Sequence, residues 1–195
     1  MNARTMDKFL ANTPVVDWTA PAVREQAHAL AGKAQDPAFV AEQCFRWVRD
    51  EVDHSVDVQR PEVTCKASEV LAERVGLCYA KSHLLAALLR ANGIAAGFCY
   101  QRVRMDGPDS NWCLHGLNAL YLNEYGWYRV DARGNKAGIY AEFCPPAERL
   151  AYAPVAGEVE DVPGVFAEPM PVVVEALSRY DSLEQLLNHL PDLNV

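Results

Sequence analysis

The apolar period of the chain changes after Gly93. Before it, apolar residues recur at intervals of three and four, the signature of amphipathic helices. After it come runs rich in β-branched and aromatic residues, bounded by Gly, Asn and Asp. A chain ordered this way packs helices on one side of an antiparallel meander, so the expected class is α+β. "TAPAVREQAHALAGK" (19–33) reads as a helix with Thr19 as cap, Pro21 in the first turn and Gly32 at the end. "DPAFVAEQCFRWVRDEV" (36–52) reads as a second, capped by Asp36. After the irregular "DHSVDVQRPEV" (53–63), "KASEVLAERVG" (66–76) reads as a short third, with Ser68 as cap and Gly76 as stop.

The helix before the change is "RVGLCYAKSHLLAALLRANG" (74–93), whose apolar stripe is Ala80, Leu84, Leu85, Leu88 and Leu89. "IAAGFCYQRV", "WCLHGLNALYL" and "GWYRVDA" are the expected strands, joined at "MDGPDSN" and "NEYG". Residues 145–170 carry five prolines and are expected to wander over the surface. "VVVEALSRYDSLEQLLNHL" then closes the chain as one or two helices. One domain over 1–195 is expected, its core at about 20–135 with 145–195 packed on it.

Bulk composition excludes several functions. A net charge of −8 and a pI near 5.1 leave no cluster of Lys and Arg for phosphate, so neither nucleic acid nor a membrane surface is an expected partner. The opening "MNARTMDKFLANTPVV" lacks the apolar run of a secretory signal, and the cytoplasm is the expected location. The six cysteines include no C-x-x-C pair and four of them lie in apolar runs, which disfavours disulfides and structural zinc. No calcium-loop spacing of Asp and Glu appears, so no cofactor or metal is expected.

One thiol stands apart. Cys78 falls where its helix begins, beside unpaired N–H groups that favour a thiolate and could donate to an oxyanion. Gly76 would permit a tight, left-handed approach to that start. A thiol nucleophile needs a base, and the base an orienting group. His115 on the second expected strand and Asp131 at the end of the third are the candidates. The sum of their numbers is even, so they share a face only if the turn between the strands holds an odd number of residues or a bulge. Taken singly, each has a plainer reading: a packed cysteine, a core histidine, a strand-end aspartate.

"GLCYAKSHLLAALLRANGIAAGFCYQ" and "LHGLNALYLNEYGWYRVDARG" resemble the core of the transglutaminase-like superfamily, over about residues 20–135. The resemblance implies a papain-like fold, with a cysteine-bearing helix on an antiparallel sheet carrying histidine and aspartate. It makes Cys78 the nucleophile, His115 the general base and acid, and Asp131 the partner that orients the ring. The implied activity is acyl transfer through a thioester. A water acceptor makes a cysteine protease or amidase, an amine acceptor a transglutaminase, and the substrate is a peptide, protein or small amide. Gly116 and Leu117 depart from the frequent alanine and tryptophan of the family. The Cys78 N–H is the implied first oxyanion donor. Tyr79, Trp112 and Asn118 are near candidates to line the site, and His54 aligns with an aromatic position of the family. His83, about 500° of helix rotation past Cys78, is read as structural or surface. Two rival readings stand: a silent scaffold of the same fold, and a redox or metal site built from Cys65, Cys113 and His54.

Overall fold

The computed structural model describes residues 6–104 and 110–193. A 3-10 turn at Asp7–Phe9 precedes helices α1 (Pro21–Ala31) and α2 (Pro37–Glu51). Then come strand β1 (Asp53–His54), helices α3 (Ser55–Val58) and α4 (Ala67–Glu73), strand β2 (Val75–Gly76) and helix α5 (Cys78–Ala91). Strands β3 (Ala96–Arg104), β4 (Trp112–Leu122) and β5 (Gly126–Val130) come next. The chain continues as β6 (Glu142–Cys144), β7 (Ala147–Arg149), β8 (Val159–Phe166), α6 (Pro171–Arg179) and α7 (Leu183–Leu187). The central sheet is antiparallel in the order β5-β4-β3-β8. Among the described residues no helix is long and apolar enough to cross a membrane. Most of the connection expected at "MDGPDSN", residues 105–109, lies outside the described residues.

Helix α5 is the centre of the packing, between α1, α2 and α4 on one side and the sheet on the other. Every residue from Tyr79 to Arg90 is buried. Lys81, Ser82, His83 and Arg90 among them each have a backbone carbonyl partner, although His83 Nε2 has none. The Lys81 ammonium donates to Arg49 O (3.3 Å) and Val52 O, placing a cation at the carboxyl end of α2. Burial, with the Arg133 cation reinforcing it and nearby carboxylates opposing it, lowers the Lys81 pKa to about 7. Ser82 donates to Tyr79 O (2.6 Å), and His83 Nδ1 lies 2.7 Å from Cys65 O. Arg90 donates to the carbonyls of Ala96, Ala11 and Ala167. His83 is therefore structural and has no surface role, its ring edge-on to Phe98.

Several sequence expectations are corrected. Asp36 does cap α2, accepting from Ala38 N (3.0 Å). Thr19 does not cap α1. The Ncap residue is Ala20, and the Thr19 hydroxyl is taken by Asn12 Oδ1 (3.0 Å). Ser68 lies inside α4 and donates to the Asp17 carboxylate from across the fold, while Glu69 accepts from the Lys66 N–H (3.0 Å). That helix ends on Arg74 in the left-handed region (φ 54°), and Gly76 belongs to β2.

The largest departure is β8. Within residues 145–170, β7 pairs back onto β6 (Glu142–Cys144) and β8 adds an edge strand to β3. Pro163 has no N–H to give a ladder and is tolerated because the register shifts there: Pro163, Gly164 and Val165 stand opposite the single residue Cys99. Gly97 makes the approach possible. A Cβ on it would lie 2.7 Å from Phe166 O and 2.7 Å from the Val165 side chain. Gly97→Ala should therefore cost about 1–3 kcal/mol of stability, read as a Tm lowered by at least about 2 °C. An unchanged Tm would contradict the packing of β8 on β3.

Candidate active site

The β4–β5 turn holds three residues, Asn123, Glu124 and Tyr125, with Gly126 at φ 76°. Leu122 pairs with Gly126 and Asn118 with Val130, so the register sum is even and His115 and Asp131 fall on one face. A four-residue loop would have sent them to opposite faces. His115 stands opposite Gln101 of β3, and Asp131 comes directly after the last residue of β5. Their side chains meet, with His115 Nε2 2.7 Å from Asp131 Oδ2.

That carboxylate is buried and fully engaged. Asp131 Oδ1 accepts from Arg133 N (3.1 Å) and Oδ2 also accepts from Ala151 N (3.0 Å). Burial alone would raise its pKa, but His115 and the two N–H donors hold it below the usual carboxylate value. With Nε2 committed to Asp131, Nδ1 is the ring nitrogen left for Cys78, which lines the same cavity as the ring. Burial would lower the His115 pKa; Asp131 and Cys78 outweigh it and raise it to about 10.

Cys78 reaches this position because it is the first residue of α5 and the helix start lies close on the sheet. Leu77 is an extended Ncap residue (φ −69°, ψ 167°) that forms no side-chain cap, so no capping side chain occupies the N–H groups at the start. Gly116 is the contact that sets the distance. A Cβ there would be 2.9 Å from Tyr79 Cδ1 and 3.3 Å from Tyr79 Cα, so the missing side chain is what lets the start of α5 approach β4. The Tyr79 hydroxyl donates to Leu114 O across the same junction. Gly76 serves a parallel purpose, its absent Cβ giving way to Ala80 and Thr64 at 3.0 Å, and it is not left-handed.

A cavity of about 340 Å3 opens around Cys78 and His115. His54 lines it, as the alignment to an aromatic position suggested, because β1 pairs in parallel with β2 and sets His54 beside Gly76. Burial and the Arg133 cation push the His54 pKa down to about 3, so the ring is neutral. Its Nδ1 has no hydrogen-bond partner and lies 3.9 Å from Asp57 Oδ2. Tyr79 also lines the cavity. Trp112 and Asn118 do not. The Trp112 ring packs beneath the guanidinium groups of Arg102 and Arg104. Asn118 points to the helix side, donating to Ser82 O (3.0 Å) and Gly97 O (3.2 Å). Cys113 shares the cavity with His54, but Cys65 lies 3.9 Å from Ser178 Oγ in another cavity. Among the described residues no three His, Cys, Asp or Glu side chains are grouped to hold a metal.

Four polar contributors were not singled out from the sequence. Tyr152 sets its ring edge-on to His115 at 4.8 Å, and Gln101 donates to Tyr152 O (3.2 Å) and Asp161 (2.9 Å) behind it. Arg133 forms a two-pronged bond to Asp57 (2.7 and 3.0 Å) beside His54. Only Arg133, directly after the "DA" that closes the third expected strand, had a signal in its position.

The model of the transglutaminase-like superfamily matches residues 24–132, which include Cys78, His115 and Asp131. The chain belongs to that superfamily. Among solved structures, a candidate cysteine protease from Cytophaga hutchinsonii is similar at 19% identity and a TM-score of 0.54, over 68% of this chain and 43% of that one. The periplasmic domain of TgpA from Pseudomonas aeruginosa is similar at 22% identity and a TM-score of 0.52, over 68% of this chain and 48% of that one. The chain spans less than half the length of either, and the likeness is one of fold. No curated protein matches it. In this superfamily member Ala151 and Tyr152, which brace the pair, lie outside the matched segment.

The His115 pair carries a pH signature. Because its pKa is raised in the folded state, the folded chain retains a proton that the unfolded chain releases above about 6.5. Its contribution to stability is complete below about pH 6.5 and is lost as pH rises toward about 10. The difference in unfolding free energy between the parent and His115→Gln should shrink across that window by at least about 1.4 kcal/mol, the equivalent of one pKa unit. A difference that grows with pH would contradict the assignment.

Proposed function

We propose that the protein is a thiol-dependent acyl-transfer enzyme that hydrolyses a peptide or small amide. The observation that carries this is one imidazole bonded to a buried carboxylate and sharing its cavity with a part-exposed cysteine at a helix start. In this reading the Cys78 sulfur attacks the amide carbonyl, and the oxyanion is held by the Cys78 N–H. His54, neutral and on the adjoining wall, is the side chain we assign as second donor. His115 gives its proton to the leaving amine as the C–N bond breaks, leaving an acyl-thioester on Cys78. Water then attacks, His115 takes its proton, and the acid departs with the thiol restored. Asp131 orients the ring and stabilises its cation without itself reacting.

Water is favoured over an amine as acceptor, in line with the protease name of the Cytophaga neighbour. A binding module would have no use for a part-exposed sulfur beside an ion-paired imidazole. Six cysteines held as thiols suit the reducing cytoplasm, which we take as the location. With a small activated acyl ester, the parent should accumulate one acyl group on Cys78, seen by mass spectrometry as a thioester. Cys78→Ala and His115→Ala should show none, and Asp131→Asn a rate lower by about 10²–10⁴. An undiminished adduct in Cys78→Ala would end the proposal.

A further inference from the structure

The cavity beside Cys78 is lined by two unlike sets of side chains. Among the polar ones the charges are already paired: Arg133 is bound to Asp57, and His54 is neutral. The apolar ones are Val56, Leu77, Val103, Leu114, Leu187 and Leu190. Val56 and Leu187 are among the few large apolar side chains the protein exposes, at 38% and 40%. Exposed aliphatic groups beside a reactive sulfur are available to a bound group rather than to the core.

Leu187 and Leu190 come from the end of the described chain, outside the matched segment 24–132. They are firmly held. Leu114 N donates to Pro191 O (2.8 Å), beyond the point where β5 stops covering the β4 edge. Arg102 grips both oxygens of Asp192 at 2.7 Å. The Tyr180 and His189 rings stack at 5.1 Å. The segment is thus a built part of the lining of the cavity that holds the sulfur.

We propose that this lining forms an acyl pocket that makes the enzyme select an aliphatic acyl group over a charged or carboxamide-bearing one. The inference rests on the reading of Cys78 as nucleophile and adds the substrate class. An aliphatic chain gains by leaving water. A carboxylate or carboxamide entering the same space loses hydration among aliphatic groups, while Arg133 is already bound to Asp57 and His54 is assigned to the oxyanion.

The test is alkylation of Cys78 by iodoacetamide and its N-ethyl to N-hexyl homologues. The same molecule's part-exposed Cys144 serves as the internal reference for intrinsic reactivity. The Cys78-to-Cys144 rate ratio should rise by up to about fourfold per added methylene until the cavity is full, and at least about tenfold overall. Homologues ending in a carboxylate or a carboxamide should show no rise. Leu187→Asp, at a position exposed enough to tolerate it, and Leu190→Ala should each flatten the series relative to each variant's own iodoacetamide ratio. A flat series on a fast iodoacetamide reaction overturns the pocket alone. A ratio near one with iodoacetamide itself overturns the nucleophile reading and the pocket with it. A full rise retained in both variants overturns the role of these leucines in the lining.

Discussion

Everything at this site depends on a histidine and an aspartate that meet in the interior, where neither charge is stable alone. Burial works against the cation on His115 and against the anion on Asp131, so each exists because the other does. The pair survives because the carboxylate's remaining capacity is filled by two backbone N–H groups, those of Arg133 and Ala151. A pair so enclosed can hold only one ring orientation. The geometry at Cys78 is then a matter of how closely a helix start can approach a strand, and Gly116 answers that by having no side chain to interpose.

Much of this was readable in the residues. The change of period at Gly93 separated helices from meander, and the runs "WCLHGLNALYL" and "GWYRVDA" match β4 and, within two residues, β5. The parity of 115 and 131 required an odd turn, and Asn123–Tyr125 supplies one. Local rules failed where tertiary contacts won. Thr19 and Ser68 have the chemistry of caps, but Asn12 and Asp17 lie within reach and take their hydroxyls. Strand β8 was hidden because Pro163 signals against a ladder, and only the bulge opposite Cys99 makes room for it. Tyr152 was illegible for the same reason. Its Pro-rich surroundings read as surface chain, whereas the β6–β7 pair, bound to the Tyr128 hydroxyl, returns that chain to the back of His115. His54 lines the cavity through a two-residue parallel bridge too short to leave a pattern.

The superfamily core and the remainder of the chain divide the labour. The matched segment supplies sulfur, imidazole and carboxylate. Residues beyond 132 supply the Ala151 N–H on the carboxylate, the Tyr152 ring against the histidine, and two leucines of the cavity lining, Leu187 and Leu190.

The central claim is that the His115 ring is kept charged by its carboxylate, against the burial that would neutralise it. Nitrogen NMR of the imidazole across a pH titration reads this directly. The ring should stay protonated through neutral pH and lose its proton near pH 10, and in Asp131→Asn the transition should move to lower pH. A parent ring that is already neutral at pH 7 would contradict the account.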